Sequence, residues 1–214
     1  RNMKILIIIP AYNEAENIKN VVDNLAENFP QYDYVIINDS SKDDTEMICR
    51  QNNYNYLSLP INLGIGGGVQ TGYKYALEHG YDIAVQHDGD GQHDPAYIEK
   101  VIQPILDGKA DIVIGSRFLL GEGFQSSASR RAGIRFLSAL IRVSCGARVR
   151  DVTSGFRAVN GRYIKFYAEN YPSDYPEPEA IVTASLNGAR VQEVPVQMRE
   201  RRRGVSSINL KRSV

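Results

Sequence analysis

A short apolar segment that runs into two aspartates constrains this 214-residue chain more than any other feature. Residues 82–87 contain a short apolar run with β-branched residues, which is typical of a buried strand. Asp88 and Asp90 follow, and the glycines beside them allow a tight turn with room for a ligand. Two carboxylates just beyond a strand can turn toward one point, and hard oxygen ligands suit Mg²⁺ or Mn²⁺ that carries phosphates. Pro95 then predicts the first turn of a helix.

Three other interpretations of this segment remain open. It could be a solvated turn, because Asp and Gly are common turn residues. It could be a calcium loop, with oxygen ligands at successive positions from Asp88, Asp90, Gln92, Asp94 and Glu99. In that loop His93 would replace the glycine of the sharp turn, and an apolar strand would replace the first helix. It could also be a zinc site on His87 and His93, although their spacing fits neither a helix face nor a finger pattern.

Composition and charge exclude several classes of protein. Apolar residues make up 43% of the chain and charged residues 23%, as in an ordinary globular domain with a proper core. The 25 basic and 25 acidic residues cancel, which argues against nucleic acid as a partner. Acidic residues nevertheless dominate the first half of the chain, and arginines dominate the second half.

Cysteine usage and the apolar runs indicate the compartment. Cys49 and Cys145 are far apart and lack a metal-type spacing, so we expect no disulfide framework and a reducing compartment. No signal peptide is visible, and no apolar run is long enough to span a bilayer. We therefore expect a cytoplasmic protein.

Strand patterns and helical patterns alternate along the chain. Strands are predicted at residues 4–9, 34–38, 56–59, 82–87, 111–115 and 190–198. Helices are predicted from a capping box at Asn13 and Glu16, after the polar turn that ends at Thr45, from Gly68 to about His79, from Pro95 to Leu106, over residues 130–144, and from Tyr175 to Gly188. Glycines at 64–68 predict a flexible loop. The alternation predicts a single α/β domain, residues 1–214, with a mostly parallel central sheet flanked by helices.

Polar motifs follow several predicted strands and would share one edge of the sheet. They are residues 9–14, 38–41, 88–90 and 115–117. Together they resemble family 2 glycosyltransferases with the A-type nucleotide-sugar fold. Residues 151–157 and 201–207 strengthen the resemblance to one branch, the dolichyl- or polyprenyl-phosphate sugar (mannose) synthases. The resemblance covers almost the whole chain and implies a donor half, residues 1–117, and an acceptor half with a basic tail, residues 118–214.

The resemblance implies a role for each matching residue. The donor nucleotide would be bound by Pro10, Tyr12, Glu14, Asp39 and Asp88, with Asp39 accepting from the base. Asp88 and Asp90 would hold Mg²⁺ or Mn²⁺. Donor sugar and phosphates would be bound by Gln92, Arg117, Arg131 and Arg201.

Carboxylates in the second half of the chain are candidates for catalysis. The resemblance implies an acidic residue on the acceptor side at Glu179, and Glu177 and Asp151 are further candidates. An acceptor hydroxyl needs a general base opposite the leaving group, whereas a phosphate acceptor is already anionic. The alternative is that Glu177 and Glu179 only form a charged first helical turn, which the helix dipole favours.

The resemblance, together with these carboxylates, implies a metal-dependent, inverting transfer of a sugar from a nucleotide-diphosphate sugar to a polyprenyl phosphate, a lipid-linked glycan or another saccharide. The basic tail from Arg199 to Arg203 could be a patch that contacts the cytoplasmic face of a membrane or a membrane partner, or it could be a loop that closes over the donor. The alternative function is a non-catalytic regulator that binds a nucleotide or polyanion on the same fold.

Overall fold

Parallel strands joined by helices build the central sheet, as the alternating sequence pattern predicts. The computed structural model describes residues 3–119 and 127–199. Within these ranges the strands are β1 (Ile5–Ala11), β2 (Asp33–Asn38), β3 (Tyr56–Ser58), β4 (Ile83–Gln86), β5 (Ile112–Ser116), β6 (Arg157–Asn160) and β7 (Val191–Pro195). The α-helices are α1 (Ile18–Asn28), α2 (Thr45–Gln51), α3 (Gly64–Glu78), α4 (Ile98–Leu106), α5 (Ala128–Cys145), α6 (Gly161–Glu169) and α7 (Pro176–Leu186). A single 3-10 turn, Pro95–Tyr97, precedes α4.

The strand order is β3-β2-β1-β4-β6-β5-β7. Neighbouring strands are parallel except at β6, which is antiparallel to both β4 and β5. The carboxyl ends of β1, β2, β4 and β5 therefore lie at one edge of the sheet. Because β6 runs the opposite way, its first residue, Arg157, lies at the same edge and pairs with Gln86. The predicted mostly parallel α/β sheet is confirmed.

Two apolar layers cover the sheet. On one face, Leu6 and Ile8 of β1 pack with apolar residues of α3, α5, α6 and α7. On the other face, Ile7 and Ile9 pack with α1, α2 and α4. These four side chains of β1 are fully buried, on both faces of the sheet. This explains why the strand is a continuous apolar run rather than an alternating one.

Two helix predictions differ from the structure. The capping box at Asn13 is wrong, because α1 begins at Ile18 and Asn13 has a φ of 54°. Asn13 instead ties its loop to the segment after β2, donating to Ser41 Oγ and accepting from the Lys42 N–H. Helix α6 has no counterpart in the predicted elements, although Asn160 caps it by accepting from the Tyr163 N–H.

The predicted glycine loop at residues 64–68 is also wrong, because these residues form the start of α3. Tertiary packing explains the glycines. A Cβ on Gly66 would lie 2.3 Å from the carbonyl oxygen of Pro172, and a Cβ on Gly72 would lie 2.2 Å from Cγ2 of Ile8. The glycines thus let α3 approach β1 and the segment before α7 more closely than any other residue would allow.

None of the described helices combines the length and the apolarity needed to cross a membrane.

Alanine at position 66 should destabilise the fold, because its Cβ would meet backbone rather than a movable side chain. We expect Gly66→Ala to lower the free energy of unfolding by about 1–3 kcal/mol, the usual cost of overpacking. Gly68→Ala is the matched control in the same helix, since a Cβ there meets no described atom within 4 Å. The control should raise the free energy of unfolding by about 0.4–1 kcal/mol. Urea denaturation measures both values, and equal effects would contradict the packing argument.

Candidate active site

The loop after β4 lies directly against the end of β1. The His87 N–H donates to the Ile8 carbonyl at 2.9 Å, and the Gly89 N–H donates to the Pro10 carbonyl at 3.3 Å. A Cβ on Gly89 would lie 3.2 Å from that Pro10 oxygen, so glycine permits the close approach. Gly89 is therefore fixed to the end of β1, and Asp88 and Asp90 lie on either side of it at the edge of the sheet.

Both aspartates are half-buried and oriented by neighbouring groups. Asp88 Oδ1 accepts from Gln86 Nε2 at 3.2 Å, and the Asp88 N–H donates to His93 Nδ1 at 3.0 Å. Asp90 Oδ1 accepts from the Gln92 N–H at 3.0 Å. A Cβ on Gly155 would lie 3.0 Å from Asp88 Oδ2, so the segment before β6 forms a wall beside this carboxylate.

The two histidines of this segment are packing residues. Both are buried, and burial lowers the pKa of His87 to about 3 and that of His93 to about 4. The His93 ring stacks on Phe156 with 4.9 Å between ring centroids. Among residues 3–119 and 127–199, no group of three or more His, Cys, Asp or Glu side chains is arranged to hold a metal. The zinc and calcium-loop interpretations therefore lack a ligand set in this part of the chain.

A buried carboxylate lies beside the end of β1, where the sequence predicts the nucleotide pocket. Asp39 is 5% exposed, and burial raises its pKa. Its N–H donates to the Ala11 carbonyl at 2.9 Å, and its Oδ1 accepts from the Leu63 N–H at 2.7 Å. Pro10 is buried at the end of β1, and Tyr12, just beyond, is 38% exposed. Asp39 thus joins the ends of β1 and β2 to the start of α3.

Glu14 has a mainly structural set of contacts. It is buried, its Oε2 accepts from Asn17 Nδ2 at 2.8 Å, and its N–H donates to Thr45 Oγ1 at 2.9 Å. Its carbonyl accepts from the N–H groups of Asn17 and Ile18, which starts α1. A role at the nucleotide stays a prediction for this residue.

Asp151 binds Arg117 through both carboxylate oxygens. Arg117 Nε lies 2.8 Å from Oδ2 and Nη2 lies 2.7 Å from Oδ1, while the Arg117 N–H donates to Oδ2 at 3.0 Å. Asp151 is fully buried and Arg117 is 8% exposed. This bidentate geometry fixes the guanidinium at the end of β5. The catalytic role predicted for Asp151 stays a prediction, but these contacts favour positioning of Arg117 over proton transfer.

A second buried arginine, which the sequence analysis did not select, lies at the start of β6. Arg157 is 3% exposed and donates to the carbonyls of Val152, Ser154 and Glu177 at 2.9, 2.6 and 2.6 Å. Among the described residues it forms no ion pair. The sequence does contain a signal for it. Arg157 stands between the apolar residues Phe156 and Ala158 at the start of a strand, where a charge that faces solvent is not expected.

The structure separates the two glutamates at the start of α7. Glu177 is half-buried, and burial raises its pKa; Arg157 lowers that pKa and the Asp88 carboxylate raises it. Glu177 is therefore within electrostatic reach of both the metal-type loop and the buried arginine. Glu179 is exposed. The first helical turn thus presents one carboxylate to the site and one to solvent.

The remaining predicted site residues lie around this centre or beyond the described chain. The carbonyl of Gln92 accepts from the Arg199 N–H at 2.9 Å, and Arg199 Nη2 lies 2.7 Å from Asp94 Oδ2. Arg131 is half-buried in the first turn of α5. Arg201 lies outside the described residues.

Curated relatives resemble this chain over most of its length. An N-acetylglucosaminyltransferase of Methanococcus voltae, named for UDP-N-acetylglucosamine and dolichyl phosphate, is 37% identical over 90% of this chain and 84% of its own length. The undecaprenyl-phosphate mannosyltransferase of Micrococcus luteus is 30% identical over 97% of this chain and 88% of its own length.

A solved structure shares the fold. It is glucosyl-3-phosphoglycerate synthase from Mycobacterium tuberculosis in complex with Mn²⁺, UDP-glucose and phosphoglyceric acid. It aligns with a TM-score of 0.74 at 19% identity, over 95% of this chain and 73% of its own. The expected A-type glycosyltransferase fold is thereby confirmed.

The sequence profile that matches is that of glycosyl transferase family 2, over residues 6–166. With the strand-end carboxylates, the sheet topology and the two relatives all in agreement, the chain belongs to glycosyl transferase family 2.

Proposed function

We propose that this glycosyltransferase moves a sugar from a nucleotide-diphosphate sugar to a polyprenyl phosphate, with Mg²⁺ or Mn²⁺ bound at Asp88 and Asp90. The observation that carries the proposal is the meeting of this acidic loop with two buried arginines, Arg117 and Arg157, around one edge of the sheet. Relatives named for dolichyl phosphate and undecaprenyl phosphate support the acceptor class. Both relatives are named as transferases, which favours an enzyme over the alternative of a non-catalytic regulator.

The acidic loop suits a divalent cation that is completed by substrate. Mg²⁺ in proteins is usually bound by one or two carboxylates together with substrate phosphates and water. Asp88 and Asp90 supply two oxygen-bearing side chains, and the buried Oε1 of Gln86 has no described hydrogen-bond partner beside them. Structures of related fold contain Mn²⁺ or Mg²⁺ with UDP. When bound, the metal would stabilise negative charge on the diphosphate leaving group.

The nucleotide would lie between the ends of β1 and β2. The buried Asp39 can accept from the base, while the part-exposed ring of Tyr12 and the backbone near Pro10 line the same edge. Glu14, which also fixes the start of α1, stays in this pocket as a proposed nucleotide residue. In this arrangement residues 1–117 form the donor half and residues 118–214 the acceptor half.

Positively charged side chains would act on the phosphate groups of the donor and the acceptor. Arg117, oriented by Asp151, presents a fixed guanidinium beside the loop of Asp88, and the sequence adds Gln92, Arg131 and Arg201 as further phosphate or sugar ligands. Arg157 would hold the first turn of α7 through the Glu177 carbonyl. A single displacement with the acceptor opposite the diphosphate inverts the anomeric configuration.

The half-buried Glu177 favours a second candidate acceptor, a hydroxyl group of a saccharide. Its pKa is raised by burial, which is the usual state of a general base in an enzyme site. A phosphate acceptor needs no base near neutral pH, because its second pKa is about 6. The acceptor class can therefore be read from the importance of this one carboxylate.

The reaction with a polyprenyl phosphate would take place at a membrane surface. We place it on the cytoplasmic side, which agrees with the free thiols of Cys49 and Cys145.

Asp90→Asn should abolish metal-dependent nucleotide binding. Removing a residue that only hydrogen-bonds a metal ligand lowers metal affinity about 10–100-fold, so removing a ligand itself should lower it at least as much. Asp94→Asn is the control, because Asp94 instead accepts from the Ala96 N–H and pairs with Arg199. Calorimetric titration of UDP and GDP with and without Mn²⁺ measures the effect. Unchanged metal-dependent binding in Asp90→Asn would contradict the metal site.

Asp151→Asn should destabilise the protein and disturb Arg117. Removing one partner of a buried ion pair costs about 3–5 kcal/mol, because the other charge stays buried. Asp94→Asn, which breaks the more exposed pair with Arg199, should cost no more than about 1 kcal/mol. Guanidinium denaturation compares the two variants. If both variants lost a similarly small free energy of unfolding, the pair of Asp151 with Arg117 would not be important for the stability of the site.

Glu177→Gln should distinguish the two acceptors, with Glu169→Gln, an exposed glutamate on α6 away from the site, as the control. With a polyprenyl phosphate, we expect kcat at neutral pH to stay within about tenfold of the parent, since no proton has to be removed. With a hydroxyl acceptor, loss of a general base should lower kcat by about 10²–10⁴-fold. Steady-state assays against both acceptor classes decide, and a large loss with phosphate would overturn the proposed chemistry on the acceptor side.

A further inference from the structure

Three successive backbone N–H groups after β4 are fixed from two different sides. The residues before and after Asp88 donate to carbonyls of β1, at 2.9 and 3.3 Å. Successive N–H groups of an extended chain point to opposite sides, so the N–H of Asp88 points away from β1. It donates instead to Nδ1 of His93 at 3.0 Å. The histidine ring therefore supplies an acceptor on the side where β1 has none to offer.

This hydrogen bond determines the state of the His93 ring. A backbone N–H can only donate, so Nδ1 has to accept and carries no hydrogen. The ring is therefore neutral, with its single hydrogen on Nε2. That second nitrogen lies 3.8 Å from Asp88 Oδ2. The two nitrogens of one ring thus face the backbone and the carboxylate of the same aspartate.

Other rings hold His93 in place. It stacks on Phe156 with 4.9 Å between ring centroids and 14° between ring planes. The His87 ring lies perpendicular to it at 5.4 Å. His93 is 5% exposed and Phe156 is fully buried. The direction of the Nδ1 acceptor is therefore set by packing, and supporting contacts of this kind keep the residues of a site in fixed positions.

We infer that His93 is a positioning residue for the metal site, because its Nδ1 fixes the backbone of Asp88 and thereby directs the Asp88 carboxylate. This inference rests on the proposed function, which places Mg²⁺ or Mn²⁺ at Asp88 and Asp90. Gln86 Nε2 holds Oδ1 of the same carboxylate at 3.2 Å, so backbone and side chain are oriented by different residues. Groups that only orient a metal ligand commonly change metal affinity about 10–100-fold.

Two substitutions separate positioning from packing. His93→Phe keeps a ring beside Phe156 but removes the acceptor, so the Asp88 N–H loses this hydrogen bond. His93→Asn loses the stacked ring but keeps an acceptor oxygen close to the place of Nδ1. His79→Phe is the matched control, because His79 is exposed at the end of α3 and lies beside Lys4, at the opposite edge of the sheet.

Calorimetric titration of UDP and GDP over a series of Mn²⁺ concentrations measures the effect on the metal. In His93→Phe, the Mn²⁺ concentration for half-maximal nucleotide binding should rise about 10–100-fold. Nucleotide binding without Mn²⁺ should stay within about twofold of the parent, because it does not depend on metal ligands. His93→Asn should return the Mn²⁺ dependence to within about threefold of the parent. Its urea midpoint should nevertheless fall, because the ring stack is lost. His79→Phe should match the parent in both measurements.

A measurement on the metal-free parent tests the contact even if a variant does not fold. Nitrogen NMR of the imidazole ring should show His93 at neutral pH with its hydrogen on Nε2 and none on Nδ1. The Asp88 amide should exchange slowly with solvent. A hydrogen on Nδ1, or a rapidly exchanging Asp88 amide, overturns the inference.

Asp90→Asn separates this inference from the proposed function. If Asp90→Asn loses metal-dependent binding and His93→Phe keeps it, the metal site stands and the role of His93 is wrong. Equal losses in His93→Phe and His93→Asn would mean that the ring acts through packing, which also overturns the inference. If neither Asp90→Asn nor His93→Phe changes nucleotide binding, the metal site itself is wrong, and the role of His93 is wrong with it.

Discussion

The buried side chain of Arg157 joins three parts of the molecule that the site needs together. It donates to carbonyls of the turn before β6 and of the first turn of α7, while its own strand pairs with β4 beside Gln86. Burying a charge is costly unless hydrogen bonds compensate, and here three carbonyl oxygens do so without an ion pair among the described residues. Its charge acts on the neighbouring Glu177, where it opposes the rise in pKa that burial causes. The position of that carboxylate relative to Asp88 depends on this contact.

Arg117 shows the opposite solution to the same problem. Its guanidinium is bound by both oxygens of Asp151, so its direction is fixed and part of its charge is balanced. One short segment, residues 151–157, contains the partner of the first arginine and the whole of the second. Because β6 is antiparallel to β4, this segment returns to the carboxyl edge of the sheet, against Asp88. A single topological feature thus sets negative and positive groups on the two sides of the place where a diphosphate would lie.

Features that depend on local pattern were predictable from the sequence, and those that depend on distant contacts were not. The apolar runs predicted β1 and β4, and the parallel topology then brought Asp39, Asp88 and Arg117 to one edge. The helical start of α3 could not be predicted, because its glycines are explained by contact between Gly66 and Pro172, over a hundred positions away. The same holds for the pair of Asp151 with Arg117, which lie 34 residues apart and meet only in the fold.

Charge distribution connects the site to helix α5. A phosphate acceptor would bring further negative charge to an edge that already holds Asp88, Asp90 and Glu177, so cations have to approach from the acceptor side. Residues 127–150 concentrate six arginines without an acidic residue, which offsets the acidic first half of a chain of zero net charge. The same helix turns an apolar face outward, opposite to the face that packs toward α7. A lipid-borne phosphate needs both properties at once, because its headgroup is anionic and its chain remains in the bilayer.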